Sequence, residues 1–241
     1  MSDALYDTIA GFYDPWSRSV TEDVELYVEA ALASGGPVVE LAVGTGRIAV
    51  PIAAAGIRVI GIDQSSGMLA VARAHAVERG VADRVDLRQG DLREPPVAER
   101  VPLVLCPFRS LLHLADPAEK LRALRAAHAL LVPAGRFVFD VFAPSQADIE
   151  ETDGRWLERE PGIFERADWD ESARTLTLSV RSGEASASFG LHWLDVEEWR
   201  ALLAKAGFEV DQLYGWFDRR PFDGGEDMIW VCRRPDSTPG A

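Results

Sequence analysis

From Val38 onward the chain alternates short apolar runs with stretches of helical period. Residues 38–43, 57–62, 84–88, 101–106 and 136–142 read as strands. Between them, a stretch through Ala55 and residues 66–79 and 117–131 read as helices, the second closed by Gly80. Apolar strands each followed by a helix predict a parallel sheet covered on both faces. Ahead of it, Val24, Val28 and Leu32 recur every four positions across 21–33, and Leu26, Tyr27 and Ala31 widen the stripe. Thr21 is placed to cap that helix, and Gly35-Gly36-Pro37 to stop it. The first twenty residues are aromatic and acidic.

Past Pro144 the period changes. Residues 163–169, 175–181 and 186–193 are short β-prone segments separated by Asp170-Glu171-Ser172 and Ser182-Gly183, which predicts an antiparallel meander too small to stand alone. Asp195-Val196-Glu197-Glu198 is a capping box flanked by a Leu194/Trp199 staple, and its helix ends at Gly207. Residues 208–214 and 227–232 supply two closing strands, and the polar stretch from Arg233 onward is expected to fray. The organisation expected is one domain over 1–241. It divides into an N-terminal lid and helix (1–36), a cofactor-binding core (37–145), an antiparallel insertion (146–194) and a closing helix with strands (195–233).

Composition removes partners rather than naming one. The 241 residues carry 39 acidic and 25 basic side chains, a formal net charge of −14. Surfaces that neutralise phosphates concentrate Lys and Arg, so the balance argues against nucleic acid and against a polybasic membrane face. Cys106 and Cys232 sit inside apolar runs and outside any Cys-x-x-Cys, as buried strand thiols of a reducing compartment do. The start of the chain lacks a basic and an apolar leader region, and no apolar run nears the ~20 residues of a membrane helix. The expectation is a cytoplasmic protein. No His, Cys and Asp cluster has metal-ligand spacing.

Candidate chemistry gathers at three strand ends. Glu40-Leu41-Ala42-Val43-Gly44-Thr45-Gly46 joins the first strand to its helix, where glycines let backbone approach a ligand and a helix N-terminus favours polar groups. Asp63 ends the second strand and either accepts both hydroxyls of a ribose or caps the next helix, a task Ser65 or Ser66 can equally serve. Gly90-Asp91 follows the third strand, within reach of an adenine amine or simply in a turn. Together they outline an adenosine-shaped site at the carboxyl edge of an α/β sheet. NAD and S-adenosylmethionine (SAM) both fit that outline. Gly44-x-Gly46-x-x-Ala49 with Asp63 serves NAD, but no Tyr-x-x-x-Lys accompanies it.

At these residues the chain resembles the class I SAM-dependent methyltransferases, over roughly residues 5–235. Glu40 and Ala42-Val43-Gly44-Thr45-Gly46 match the family's acidic residue and glycine motif, with Ala42 replacing the first glycine. Asp63 matches its ribose-binding acid, Met68 the apolar residue near adenine and Asp91-Leu92 the adenine-contacting pair. The resemblance implies an α/β, Rossmann-like seven-stranded sheet with an antiparallel last strand, plus a small antiparallel β insertion over the active site. It implies SAM as cofactor, held by Tyr6, Tyr13, Glu40, Ala42, Gly44, Thr45, Gly46, Asp63, Gln64, Met68, Asp91, Leu92 and Cys106. Within the family it looks most like small-molecule enzymes, including amino-sugar N-methyltransferases of antibiotic pathways. Tyr6-Asp7-x-x-Ala10-x-x-Tyr13-Asp14, the Phe108–Leu114 loop and the insertion at 163–193 carry that likeness.

The activity implied is in-line methyl transfer to an N or O nucleophile of a small molecule, a specialised metabolite, by a monomer or homodimer. His113 is the candidate base, because imidazole titrates near neutral pH, and Tyr13 is placed to cover the methyl group. Trp16, Phe108, Arg109, His192 and Trp193 are the candidate acceptor contacts, while His75 and His128 read as structural or solvated. A SAM-binding protein doing other chemistry or regulation is the alternative, and an RNA or protein methyltransferase is disfavoured by the acidity.

Overall fold

The strand Val38–Leu41 (β1) is buried at all four positions, and the rest of the molecule is arranged about it. In the computed structural model, which describes residues 3–236, β1 pairs in parallel with Val59–Asp63 (β2) on one side and Val101–Cys106 (β4) on the other. Val85–Gln89 (β3) adds outside β2 and Leu131–Phe142 (β5) outside β4. Asp227–Arg233 (β11) enters antiparallel beside β5 and pairs in turn with Glu209–Tyr214 (β10). The seven-stranded order β10-β11-β5-β4-β1-β2-β3 reverses direction of progress between β1 and β4. At such a switch point a crevice opens outside the carboxyl ends of the strands.

Strand alternation explains why these runs are apolar throughout. Val38, Leu103, Leu105 and Val138 face one layer with Leu26, Tyr27 and Ile52, from the helices Val24–Ser34 (α2) and Ala49–Ala54 (α3). Val39, Val104, Phe137 and Phe139 face the other, with Leu124 of Pro117–Leu130 (α5) and Trp199 of Val196–Ala206 (α7). Both faces are dry, so a polar side chain in the central strands is costly unless a partner meets it. The capping box at α7 forms as expected, with Asp195 and Glu198 exchanging two side chain–backbone bonds of 2.9 Å. Ser65, not Asp63, caps Ser66–Glu78 (α4).

Three elements depart from the expected pattern. Asp3–Trp16 (α1) is a helix where only an aromatic, acidic stretch was read, and it packs on α4. The helix α2 starts at Val24 rather than Thr21. Its N-cap Asp23 gives both carboxylate oxygens to Arg47 at 2.6 Å and makes no side-chain cap bond. After Pro144 come a short helix, Gln146–Thr152 (α6), and four strands rather than three: Trp156–Glu160 (β6), Ile163–Asp170 (β7), Thr175–Ser182 (β8) and Ala185–His192 (β9). They form a separate antiparallel sheet in chain order, whose last strand lies against α1. Among the described residues no helix is long and apolar enough to cross a membrane. The fraying expected from Arg233 onward does not start there: Arg233 is the last residue of β11 opposite Arg136, and the Arg234 N–H donates to the Gly135 carbonyl at 2.8 Å; residues 237–241 lie outside those described.

Candidate active site

The chain leaves β1 through three left-handed residues, Ala42 (φ 57°), Gly44 (φ 55°) and Gly46 (φ 81°). Glycine takes that conformation freely, whereas an alanine there is strained by about 1–2 kcal/mol. The turn is held by Asp63 from the end of β2. Its Oδ2 accepts from the Gly44 N–H and its Oδ1 from the Ser65 N–H, each at 2.9 Å. Burial raises the Asp63 carboxyl, and these amides oppose the rise. Glu40, the acidic residue of the motif, is 2% exposed, and its Oε2 finds no partner. Burial pushes its carboxyl well above the usual range. A small cavity of about 40 Å³ beside it is lined by Glu40, Ala42, Gly44 and Thr45.

A larger cavity of about 520 Å³ runs from these strand ends to the underside of the small sheet. Ala42, Gly44, Asp63, Gln64, Met68, Asp91 and Leu92 line its inner end. At Asp91 burial pushes the carboxyl up, but the Arg93 side chain and backbone N–H outweigh it, so the group stays below its ordinary value. Helix α1 forms one wall through Tyr6, Tyr13 and Trp16. It is tied to the inner end by Asp7, which accepts from Ser65 Oγ (2.5 Å) and Gly67 N (2.8 Å), and by Asp14, which accepts from Thr45 Oγ1 (2.5 Å).

The far end is lined by Phe108, Arg109 and His113 and by inward-facing roof residues, among them Trp169, Leu178, Phe189 and Leu191. His113 Nε2 lies in a 2.9 Å hydrogen bond with Tyr6 Oη, and its ring is 5.1 Å from that of Phe189. Burial, aided by Lys120, pulls His113 down to about 3. This corrects the expectation of a near-neutral base: with aromatic neighbours and no carboxylate beside it, the imidazole is uncharged throughout the physiological range.

Not every candidate reaches the cavity. Thr45 and Glu40 open only onto the smaller one, and Gly46 onto neither. Cys106 is fully buried at the end of β4, its thiol pushed up by burial, and belongs to the core. His192 is out of phase with Phe189 and Leu191 on β9, and hydrogen-bonds Thr175 Oγ1 at 3.0 Å away from the cavity. Trp193 meets Trp169 edge-on at 5.6 Å and is shielded by it. Conversely, sequence reasoning missed Asp140 and Glu165. Asp140 was visible as a lone carboxylate in Phe137-Val138-Phe139-Asp140-Val141-Phe142; Glu165, which accepts from Trp16 Nε1 at 3.1 Å, gave no such signal.

Comparison with known proteins agrees with this geometry. Residues 38–135 match a family described as a methyltransferase domain. The whole structure superposes on the CcbJ methyltransferase from Streptomyces caelestis with a TM-score of 0.85 and 28% identity, covering 98% of this chain and 100% of that one. The chain is a SAM-dependent methyltransferase. Its fold is also that of SAM-bound CalS10, an amino pentose methyltransferase from Micromonospora echinaspora, at a TM-score of 0.63 and 23% identity over 90% of this chain and 93% of that one. A ubiquinone biosynthesis O-methyltransferase of Pseudomonas aeruginosa is 38% identical over 112 residues, 45% of either chain. The methyltransferase's own residues fit the cofactor. An unpartnered buried carboxylate oxygen beside a strained turn suits a ligand that brings an ammonium group, and the Asp63 carboxylate opens on the larger cavity, which shares Ala42 and Gly44 with the smaller one beside Glu40.

Proposed function

We propose that the enzyme methylates an amine nitrogen of a small molecule, a specialised metabolite, with a hydroxyl oxygen as the second reading. The observation that carries this is the setting of His113, packed between the Tyr6 and Phe189 rings and already bonded to Tyr6, which holds the imidazole well below its ordinary value. An amine must be unprotonated, but its ammonium form can give the proton to water before binding and the free lone pair then attacks unaided, whereas a hydroxyl needs a competent base as it attacks. A deeply depressed imidazole is a poor one. The names of CalS10, an amino pentose methyltransferase, and of KedS8 from Streptoalloteichus, a sugar N-methyltransferase, support the amine reading. The identity shared with the ubiquinone O-methyltransferase favours the hydroxyl.

SAM, when bound, supplies a methyl group already activated on a sulfonium. In this reading Asp63 accepts the ribose hydroxyls, Glu40 faces the amino-acid ammonium, and Gly44 and Thr45 shape the turn over it. Gln64, Met68, Asp91 and Leu92 bed the adenine. Tyr6 and Tyr13 close the cavity from α1, while Trp16, Phe108 and Arg109 orient the acceptor beneath the roof formed within residues 146–194. The chain's work is alignment and exclusion of water. Methyl-labelled SAM offered with matched panels of amines and phenols tests the assignment. Label entering amines supports it, label confined to phenols replaces it with the second reading, and tight SAM binding without transfer returns the protein to other chemistry.

A further inference from the structure

The strand β5 carries one residue that its surroundings do not invite. Asp140 lies between Phe139 and Val141, is 5% exposed and has Ile229 of β11 beside it. A buried carboxylate is costly unless donors meet it. Three do. Tyr27 Oη donates to Oδ1 at 2.5 Å, the Phe108 N–H to Oδ1 at 2.7 Å and the Arg109 N–H to Oδ2 at 3.0 Å.

Phe108 and Arg109 are consecutive and both left-handed, with φ of 57° and 60°. Neither side chain favours that region, so both residues are strained there. Successive amides in such a turn converge on one concavity that suits an anion, and Asp140 fills it. The bend sends the two side chains apart. Phe108 meets the Tyr13 ring edge-on at 6.4 Å with the Arg47 guanidinium 4.9 Å over its face. Arg109 lies 4.6 Å over the Phe142 ring and pairs with Asp227 at 3.0 Å. The turn Ser110–His113 follows at once, so the same bend sets where His113 meets Tyr6.

We propose that Asp140 is a positioning residue for methyl transfer: its carboxylate clamps the amides of Phe108 and Arg109 and thereby fixes the 108–113 loop against cofactor and acceptor, with Tyr27 orienting the clamp. This rests on the amine-methylation reading for what the loop positions, and not for the clamp itself. A side chain filling space alone would be served by an apolar residue like its neighbours.

The test is Asp140→Asn in the full chain. The amide keeps one acceptor and turns an NH2 toward an N–H. We expect kcat to fall about tenfold to a hundredfold, as small misplacements do, with SAM affinity within about twofold by calorimetry. Arg109→Gly supplies the discriminating background, since glycine adopts this φ without strain. There, adding Asp140→Asn costs several-fold less in kcat than in the parent. Equal losses in both backgrounds, or SAM affinity falling in step with kcat, overturn the proposal. If Asp140→Asn does not fold, Tyr27→Phe replaces it, with a smaller kcat loss at unchanged SAM affinity expected and no loss overturning the clamp. Amide exchange separates this failure from that of the function. Protection at Phe108 and Arg109 drops at least about tenfold in the variant while that of β5 holds, whatever the acceptor is; unchanged protection there overturns the clamp.

Discussion

The two ends of the cavity are built on opposite plans. At the inner end the contacts are made by backbone and short carboxylates at the ends of β1, β2 and β3: the Ala42–Gly46 turn, Asp63 and Asp91. At the far end a small antiparallel sheet offers every second side chain, Leu176 and Leu178 from β8, Phe189 and Leu191 from β9. The first plan fixes where the chain runs and is indifferent to most side chains. The second fixes side chains and depends on strand phase, because a slip of one residue exchanges the two faces. One end is therefore suited to a constant ligand, and the other can be rewritten without disturbing it.

Substitutions should respect that division, and the largest effect belongs to the inner end. Asp63→Ala is expected to weaken SAM binding at least about tenfold, because the Gly44 and Ser65 amides lose their acceptor along with any ribose contact. Calorimetry with unchanged affinity would remove Asp63 from the cofactor site. Next comes His113→Ala, which should lower turnover far more than SAM affinity. Equal losses would make His113 part of the scaffold.

A pH profile sharpens the boundary between the two ends. Burial lifts the Asp140 carboxyl to about 6, against about 4 for a free aspartate. Between those values the folded chain keeps a proton that the unfolded chain has lost. This group therefore erodes stability as pH rises from about 4 to about 6, while its ionised form is the one that holds the loop amides. Tyr27 and Asp23 of α2, Cys106 of β4, Arg109 and Arg47 are the titratable and charged groups facing it. Turnover should fall on acidification through about pH 6 and be flat there in Asp140→Asn; the same slope in both would assign the titration elsewhere. His113 acts with the opposite sign on stability: being depressed to about 3, it favours the fold at neutral pH and ceases to as pH falls from about 6.5.

Smaller effects complete the comparison. Phe189→Ala should raise the acceptor KM several-fold and leave SAM affinity alone; a change in the latter would mean that the roof also shapes the cofactor end. Ala42→Gly should relieve the left-handed strain, offset by the greater freedom of glycine in the unfolded chain, for a net gain of up to about 1 kcal/mol. A thermal midpoint that drops instead would show that the methyl group packs usefully.

Most of the sheet was legible because its central strands are apolar and bounded by glycine, proline or a cap. The inner end was legible for the same reason that it works through backbone: the turn is local, so seven consecutive residues specify it. Helix α1 escaped although Tyr6, Ile9, Ala10, Tyr13 and Trp16 have helical spacing. Its stripe is aromatic and Pro15 lies inside it. Strand β6 could not be seen, being exposed or half-exposed throughout and paired along one edge, with β7. His192 was misplaced for want of counting phase along β9. What no local pattern carries is Asp140 meeting Tyr27, 113 residues away in the chain.

The ties of α1 have a consequence for how this wall of the cavity is held. Asp7 is exposed, and its charge sits at the first turn of α4, on the Gly67 N–H and the Ser65 hydroxyl that also caps that helix. Its carboxyl is held below the usual aspartate range by Ser65 and then Gly67, so it keeps its charge further into acid than a free one. That tie, a surface charge on a helix end, weakens with ionic strength, whereas the buried stripe of the same helix, Ile9 and Trp16 among it, is held by apolar area and does not. The wall that α1 gives the cavity is thus fastened twice, by a charge that salt screens at one edge and by buried aromatic and aliphatic side chains that it does not.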